Sequence, residues 1–243
     1  MRIARFRQLA VALLVLGATP AWADDDGDCY GTWDLGKPSS IGVASVTAKP
    51  RLNFIKSASE QKSCPADTAA CRQRAYVVTG DSVVTLGTRG AFTCAVFIGP
   101  KGRAAAGWAP TASLASKQLP GAIRLDDWLG EWSGGPEQTI RIKRGPKPGV
   151  LSVSGDATFG ALDPARVRRG AVNIGEFAGD ASPKGALINL TTDETGGSRD
   201  AFEPQESQNC SVRMLHLGAL MLVEDNFNCG GLNVTFTGGY RRK

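Results

Sequence analysis

The sequence predicts an all-β protein built as two antiparallel units in series, and three observations carry that prediction. Short runs rich in β-branched and aromatic residues recur along the chain, such as Tyr76-Val77-Val78 and Val83-Val84-Thr85-Leu86. Turn clusters separate them, including Gly99-Pro100-Lys101-Gly102, Gly145-Pro146-Lys147-Pro148-Gly149 and Ala181-Ser182-Pro183-Lys184-Gly185. No segment of the first unit keeps a helical period. The expectation is a small N-terminal barrel followed by an antiparallel eight-stranded barrel or sandwich.

Residues 1–23 read as a secretory signal peptide. Arg2, Arg5 and Arg7 precede the apolar run Leu9 to Leu16, and Ala21-Trp22-Ala23 sets small residues at both specificity positions of a cut after Ala23. The apolar part is too short to span a bilayer, and no later stretch is long and apolar enough. The expected location is the periplasm. Three of the 28 Lys+Arg belong to the leader, leaving 25 against 23 Asp+Glu, a net charge of +2 instead of +5. Nothing in that balance points to nucleic acid. About 220 remaining residues suffice for two small domains with their own cores.

All six cysteines follow the leader, and an even count in an exported chain favours disulfides. Cys64 and Cys71 close a short polar loop, and Cys210 and Cys229 flank one apparent hairpin. Cys29 with Cys94 is the pair left over, tying an N-terminal arm to the first barrel. Zinc is disfavoured by the lack of C-x₂-C and by a single histidine.

The domain plan is an arm over 24–47, a first domain over 48–115, a linker over 116–122 and a second domain over 123–243. In the first domain, Leu52 to Ile55, Val77-Val78, Val83 to Leu86 and Phe92 to Ile98 are strands, and Lys56 to Arg74 is a stapled excursion. Ala115 to Gly121 is small and polar, ending in Pro-Gly, which marks the boundary. Ile123 to Leu129 reads as one helical turn. Eight strands follow, at 130–134, 138–144, 150–154, 172–178, 185–191, 210–217, 220–224 and 232–240. Thr139 to Lys143 and Asn233 to Thr237 both alternate polar and apolar, as half-buried strands do.

Arg51 to Phe54, the run Ala75-Tyr76-Val77-Val78-Thr79-Gly80-Asp81, the aromatic Phe92 and the closing Gly107-Trp108 together resemble the SH3-like domains of exported bacterial proteins. The resemblance implies a binding module for cell-wall or protein partners, with Tyr76, Phe92, Trp108 and Pro110 as its candidate surface. The family's groove tyrosine is missing after Pro110, which argues against proline-rich ligands. Ordinary core packing accounts for at least two of the three aromatics. The second half resembles the calycin group of small barrels, lipocalins and avidins among them, through Gly130-Glu131-Trp132 and the terminal Arg241 and Arg242. That resemblance implies a barrel floor in which a late arginine lies over Trp132. Eight strands leave an interior just wide enough for side chains or one small ligand.

Reactive chemistry finds little footing in this sequence. Exported SH3-like modules often accompany wall amidases or peptidases, which need a nucleophile–base pair or a metal cluster. His216 is the lone histidine and reads as an ordinary strand residue. Glu131, Glu176 and Glu224 fall in expected strands, so glycan cleavage needs two of them to converge inside the barrel. Two basic groups, Arg141/Lys143/Arg144/Lys147 and Arg166/Arg168/Arg169, suit an anionic polymer or a solvated face. The expected function is non-catalytic, without cofactor or metal. It is binding of a cell-envelope polymer or a periplasmic protein, such as a wall-degrading enzyme, through preformed β surfaces. Carriage of a small apolar ligand and hydrolysis of wall glycans are the alternatives.

Overall fold

A computed structural model of the chain describes residues 28–100, 102–119 and 121–243. The expected leader at 1–23, its cut after Ala23, and Lys101 of the first turn cluster lie outside the described residues. Strand makes up 47% and helix 8%, so the fold is all-β. Two antiparallel sheets hold all the strands among the described residues.

The first sheet contains β1 (Gly42–Val46), β2 (Arg51–Ile55), β3 (Arg72–Val78), β4 (Ser82–Arg89), β5 (Phe92–Ile98), β6 (Ala104–Pro110) and β7 (Leu114–Lys117). They run in the order β3-β2-β6-β5-β4-β1-β7. Its apolar runs are continuous because both faces are covered. Val83 packs with Phe54, Ala95 and Val77 on one face, while its neighbour Val84 packs with Val43, Val96 and Ile98 on the other. Two boundaries differ from expectation. Gly42–Val46, placed in the arm, is a strand paired with β4 and β7, because Ala44 and Val46 fill one core and Val43 the other. The expected linker at 116–122 begins inside β7, whose Ser116 and Lys117 pair with Ala44 and Val43.

A single helical turn, α1 (Leu125–Trp128), leads into the second sheet. Its strands are β8 (Gly130–Ser133), β9 (Gln138–Arg144), β10 (Leu151–Phe159), β11 (Asn173–Ala181), β12 (Leu187–Thr192), β13 (Ser198–Arg199), β14 (Cys210–His216), β15 (Leu220–Asp225) and β16 (Gly238–Arg242). The order is β11-β10-β9-β8-β16-β15-β14-β12-β13. The first strand thus meets the last, and a meander becomes a nearly closed barrel. Its one seam, between β11 and the β12–β13 pair, is tied by Asp180 N–H donating to Ser198 Oγ at 3.1 Å and Ser182 N–H to Asp200 Oδ1 at 2.8 Å. A second short helix, α2 (Pro164–Arg168), lies in the β10–β11 connection, capped by Asp163, which accepts from Ala165 N–H.

Inward-facing residues fill this barrel. Trp132, Ile140, Val153, Phe177, Met214 and Phe236 are among its buried core. Gly155 is required where Phe177 and Phe236 meet edge to face at 4.8 Å, since a Cβ there would fall 2.3 Å from the Phe177 ring.

The alternating stretch Asn233 to Thr237 is not a strand. The buried Asp225 carboxylate takes its donors instead: Phe236 N–H at 2.9 Å, Thr235 Oγ1 at 2.7 Å and Thr237 Oγ1 at 2.6 Å. Val234 and Phe236 still point inward, so the segment plugs the barrel end opposite α1. Alternation therefore reported burial correctly while the backbone found side-chain partners rather than a ladder.

The two sheets share a core. Leu215, Leu217, Leu220 and Leu222 on the outer side of β14–β15 pack against Leu35, Ile41, Val84 and Ile98. Trp33 Nε1–H donates to the Val223 carbonyl at 3.2 Å, and Arg213 bridges Glu224 and Asp34, each at 2.9 Å.

Candidate functional site

The three cysteine pairs are bonded as Cys29–Cys94, Cys64–Cys71 and Cys210–Cys229. The first two decide which face of the first sheet is open. Register places Phe92 opposite Pro110 and Cys94 opposite Trp108, so these four share one face of β5–β6. The arm bonded through Cys29 and the loop closed by Cys64–Cys71 lie over that face. Trp108 is consequently only 5% exposed, with its Nε1–H unpartnered, and Phe92 is half-buried against the same cluster.

Tyr76 stands apart from these residues. It projects from β3, an edge strand on which Arg72, Arg74, Tyr76 and Val78 are exposed while Val77 enters the core. The ring is 51% exposed, and the Arg51 guanidinium lies 4.9 Å from its centroid. Arg72 pairs with Asp67 at 2.9 Å, whereas Arg74 has no ion pair among the described residues. The candidate surface thus resolves into a cationic strip around Tyr76, separate from the buried Trp108 and the half-buried Phe92 and Pro110.

At the barrel floor, β16 lies opposite β8 with Arg242 directly across from Trp132, so both side chains share a face. The Arg242 guanidinium is 5.1 Å from the Trp132 ring and donates to the Asp127 carbonyl. Arg241 projects the other way. Its Nε–H donates to the Ile98 carbonyl at 2.5 Å and its guanidinium sits 5.8 Å from Phe97, joining the barrel to the first sheet.

His216 is wedged between Trp128 and Trp132, with ring centroids 5.1 Å and 5.5 Å away. Gly218 N–H donates to Nδ1 at 3.2 Å, so the ring proton is on Nε2, which donates to the Asp127 carbonyl at 2.9 Å. Burial pushes the imidazole pKa below its usual value; the Asp127 bond opposes this and Arg242 reinforces it. Both ring nitrogens are thus hydrogen-bonded within the protein.

The three strand carboxylates diverge. Glu131 is outside the barrel against Lys243 and Arg141, and the Lys243 ammonium holds its carboxyl below the usual range. Glu176 is exposed on the outer face of β11. Glu224 lies at the inter-sheet junction, paired with Arg213 and accepting from Leu35 N–H at 3.0 Å. The basic groups are partly spoken for as well. Arg141 meets Glu131 and Asp156, Arg144 meets Asp126, and Arg166 lies 4.9 Å over Phe159, while Arg168 and Arg169 remain exposed. No group of three or more His, Cys, Asp or Glu suited to a metal occurs among the described residues.

Two features escaped the sequence reading. Asp225 anchors the barrel plug, and only its position before a Thr-x-Thr run hints at this. Leu232 and Phe227, in a Gly/Asn-rich connection, are 79% and 69% exposed, and large apolar residues inside turn chemistry were the available signal. No family model, curated protein or solved structure matches the chain.

Proposed function

We propose that this is an exported, non-catalytic binding protein of the periplasm. It recognises an anionic envelope polymer or an acidic protein partner, such as a wall-degrading enzyme, through a preformed β surface. The observation that carries the reading is the half-exposed Tyr76 with Arg51 stacked on it and Arg74 unpaired beside it, on the edge of a sheet whose opposite faces are packed. A guanidinium–aromatic pair held on a rigid strand offers flat apolar area and positive charge at little ordering cost. SH3-like and calycin-like architectures remain the reading of the two sheets, supported by the Trp132–Arg242 stack in the second.

The engagement of the residues that the sequence offered for catalysis supports the non-catalytic reading. The histidine is bonded on both nitrogens, the carboxylates point apart and the six cysteines are paired. The filled barrel interior likewise leaves ligand carriage without a supporting observation.

Capture on peptidoglycan sacculi, and in parallel on immobilised periplasmic proteins, tests the proposal. Wild-type protein is expected to be retained on at least one bait and released by salt, while Tyr76→Ser with Arg74→Glu loses about tenfold in retention. Equal retention of that variant on both baits would remove the strip from consideration. Trp108→Ala is the wrong probe, because Trp108 is buried against two disulfides.

A further inference from the structure

Among the described residues, the large apolar side chains left most exposed concentrate at one end of the barrel. Leu162, Val167 and Ile174 belong to the β10–β11 connection and the start of β11, and Phe227 and Leu232 to the plug. Ile174 and Leu232, 67% and 79% exposed, are held side by side. Gly231 N–H donates to the Ile174 carbonyl at 3.0 Å, and Asn173 Nδ2 donates to the Leu232 carbonyl at 2.5 Å. Such a pair on a tied backbone is an exposed apolar centre that none of the described residues covers.

Charge is distributed around that centre in a particular way. On one side, in the segment leading into β11, Arg168 at the end of α2 and Arg169 after it are exposed and form no ion pair among the described residues. On the other, about 7 Å along the outer face of β11 at the strand rise, stands Glu176, which with Glu194 lines the cleft over the barrel seam. Asp156, opposite Glu176 in register, is already neutralised by Arg141. An acidic partner or an anionic lipid surface would be attracted by the arginines and repelled by Glu176 and Glu194. A basic partner meets the reverse problem. A surface with cations on one side of an apolar centre and anions on the other is its own complement under a two-fold rotation.

We propose that this surface takes a second copy of the chain, with the two-fold axis passing near Ile174. Ile174 and Leu232 of the two copies pack together, and Arg168 and Arg169 of each reach Glu176 and Glu194 of the other. The contact is isologous and closed, and it leaves the Tyr76 strip on the first sheet free, so it stands independently of the binding function proposed above.

Sedimentation equilibrium on the oxidised, exported protein over a wide concentration range reads the proposal. A monomer–dimer equilibrium that weakens with salt is expected. Leu232→Asp, and separately Arg168→Glu with Arg169→Glu, should each raise the dissociation constant at least about tenfold. Adding Glu176→Arg and Glu194→Arg to the reversed arginines should restore dimerisation, because the pattern is then inverted but still self-complementary. That rescue also separates lost pairing from lost folding. A monomer at every concentration overturns the proposal. A dimer indifferent to these changes overturns it too, as does failure of the charge rescue in a chain that keeps its cooperative melt.

Discussion

His216 reads as an ordinary strand residue in the sequence, and the fold gives it a specific structural place between two tryptophans. Only the packing of Trp128 and Trp132 explains its neutral, doubly bonded ring. The sign of its pH effect follows from the lowered folded pKa. Between that value and the unfolded one of about 6.5, the unfolded chain binds more protons. The stability from a neutral His216 is therefore complete above about pH 6.5 and is lost as pH falls toward the folded pKa. Melting temperatures recorded across that window should drop for wild type, and the drop should be shallower in His216→Gln. Parallel curves would show that the ring does not carry the linkage. A residue's identity was legible here and its role was not, because the role belongs to neighbours distant in the chain.

At the scale of elements, the plug between β15 and β16 rests on the Cys210–Cys229 bridge and on Asp225. Opening the 19-residue loop by Cys210→Ser with Cys229→Ser should cost about 2–4 kcal/mol in chemical denaturation. It should also speed amide exchange at Val234 and Phe236 ahead of the barrel strands. Unchanged exchange at those two positions would mean that Asp225 alone holds the plug. Strand placement was largely readable: β9 coincides with the expected 138–144, because Thr139 to Lys143 alternates cleanly over a half-buried surface. The plug misled for the same reason. Alternation reports which side is buried and says nothing about whether the backbone bonds to a strand or to a carboxylate. Gly42–Val46 was missed because a short Gly/Ala/Ser/Val run carries little amphipathic signal when both its faces are covered.

For the whole molecule, the consequential feature is the core shared by the two sheets. Leu222 on β15 is fully buried against residues of the first sheet and of the segment preceding β1. Leu222→Ala should destabilise the protein by about 2–5 kcal/mol. Calorimetry should show one transition for both lobes in wild type, since neither can lose this core alone. Two separated transitions in wild type would show that the lobes fold independently across Leu35, Val84 and Leu222. The sequence pointed to a linker and two bodies. It could not reveal that Leu215, Leu217, Leu220 and Leu222, read as strand residues, face the other sheet rather than solvent.

The sequence by itself determined the all-β class and most strand positions, because turn residues and two-residue periodicity act over short stretches of chain. Cysteine spacing favoured one of fifteen pairings, and the fold fixed it. Tertiary structure alone decided which aromatics are open. Trp108 disappeared beneath the Cys29 arm and the Cys64–Cys71 loop, while Tyr76 stayed exposed on an edge strand. The physical reason is that exposure depends on what a distant segment covers. Local chemistry sets the direction of a side chain, and only the assembled layers set what lies beyond it.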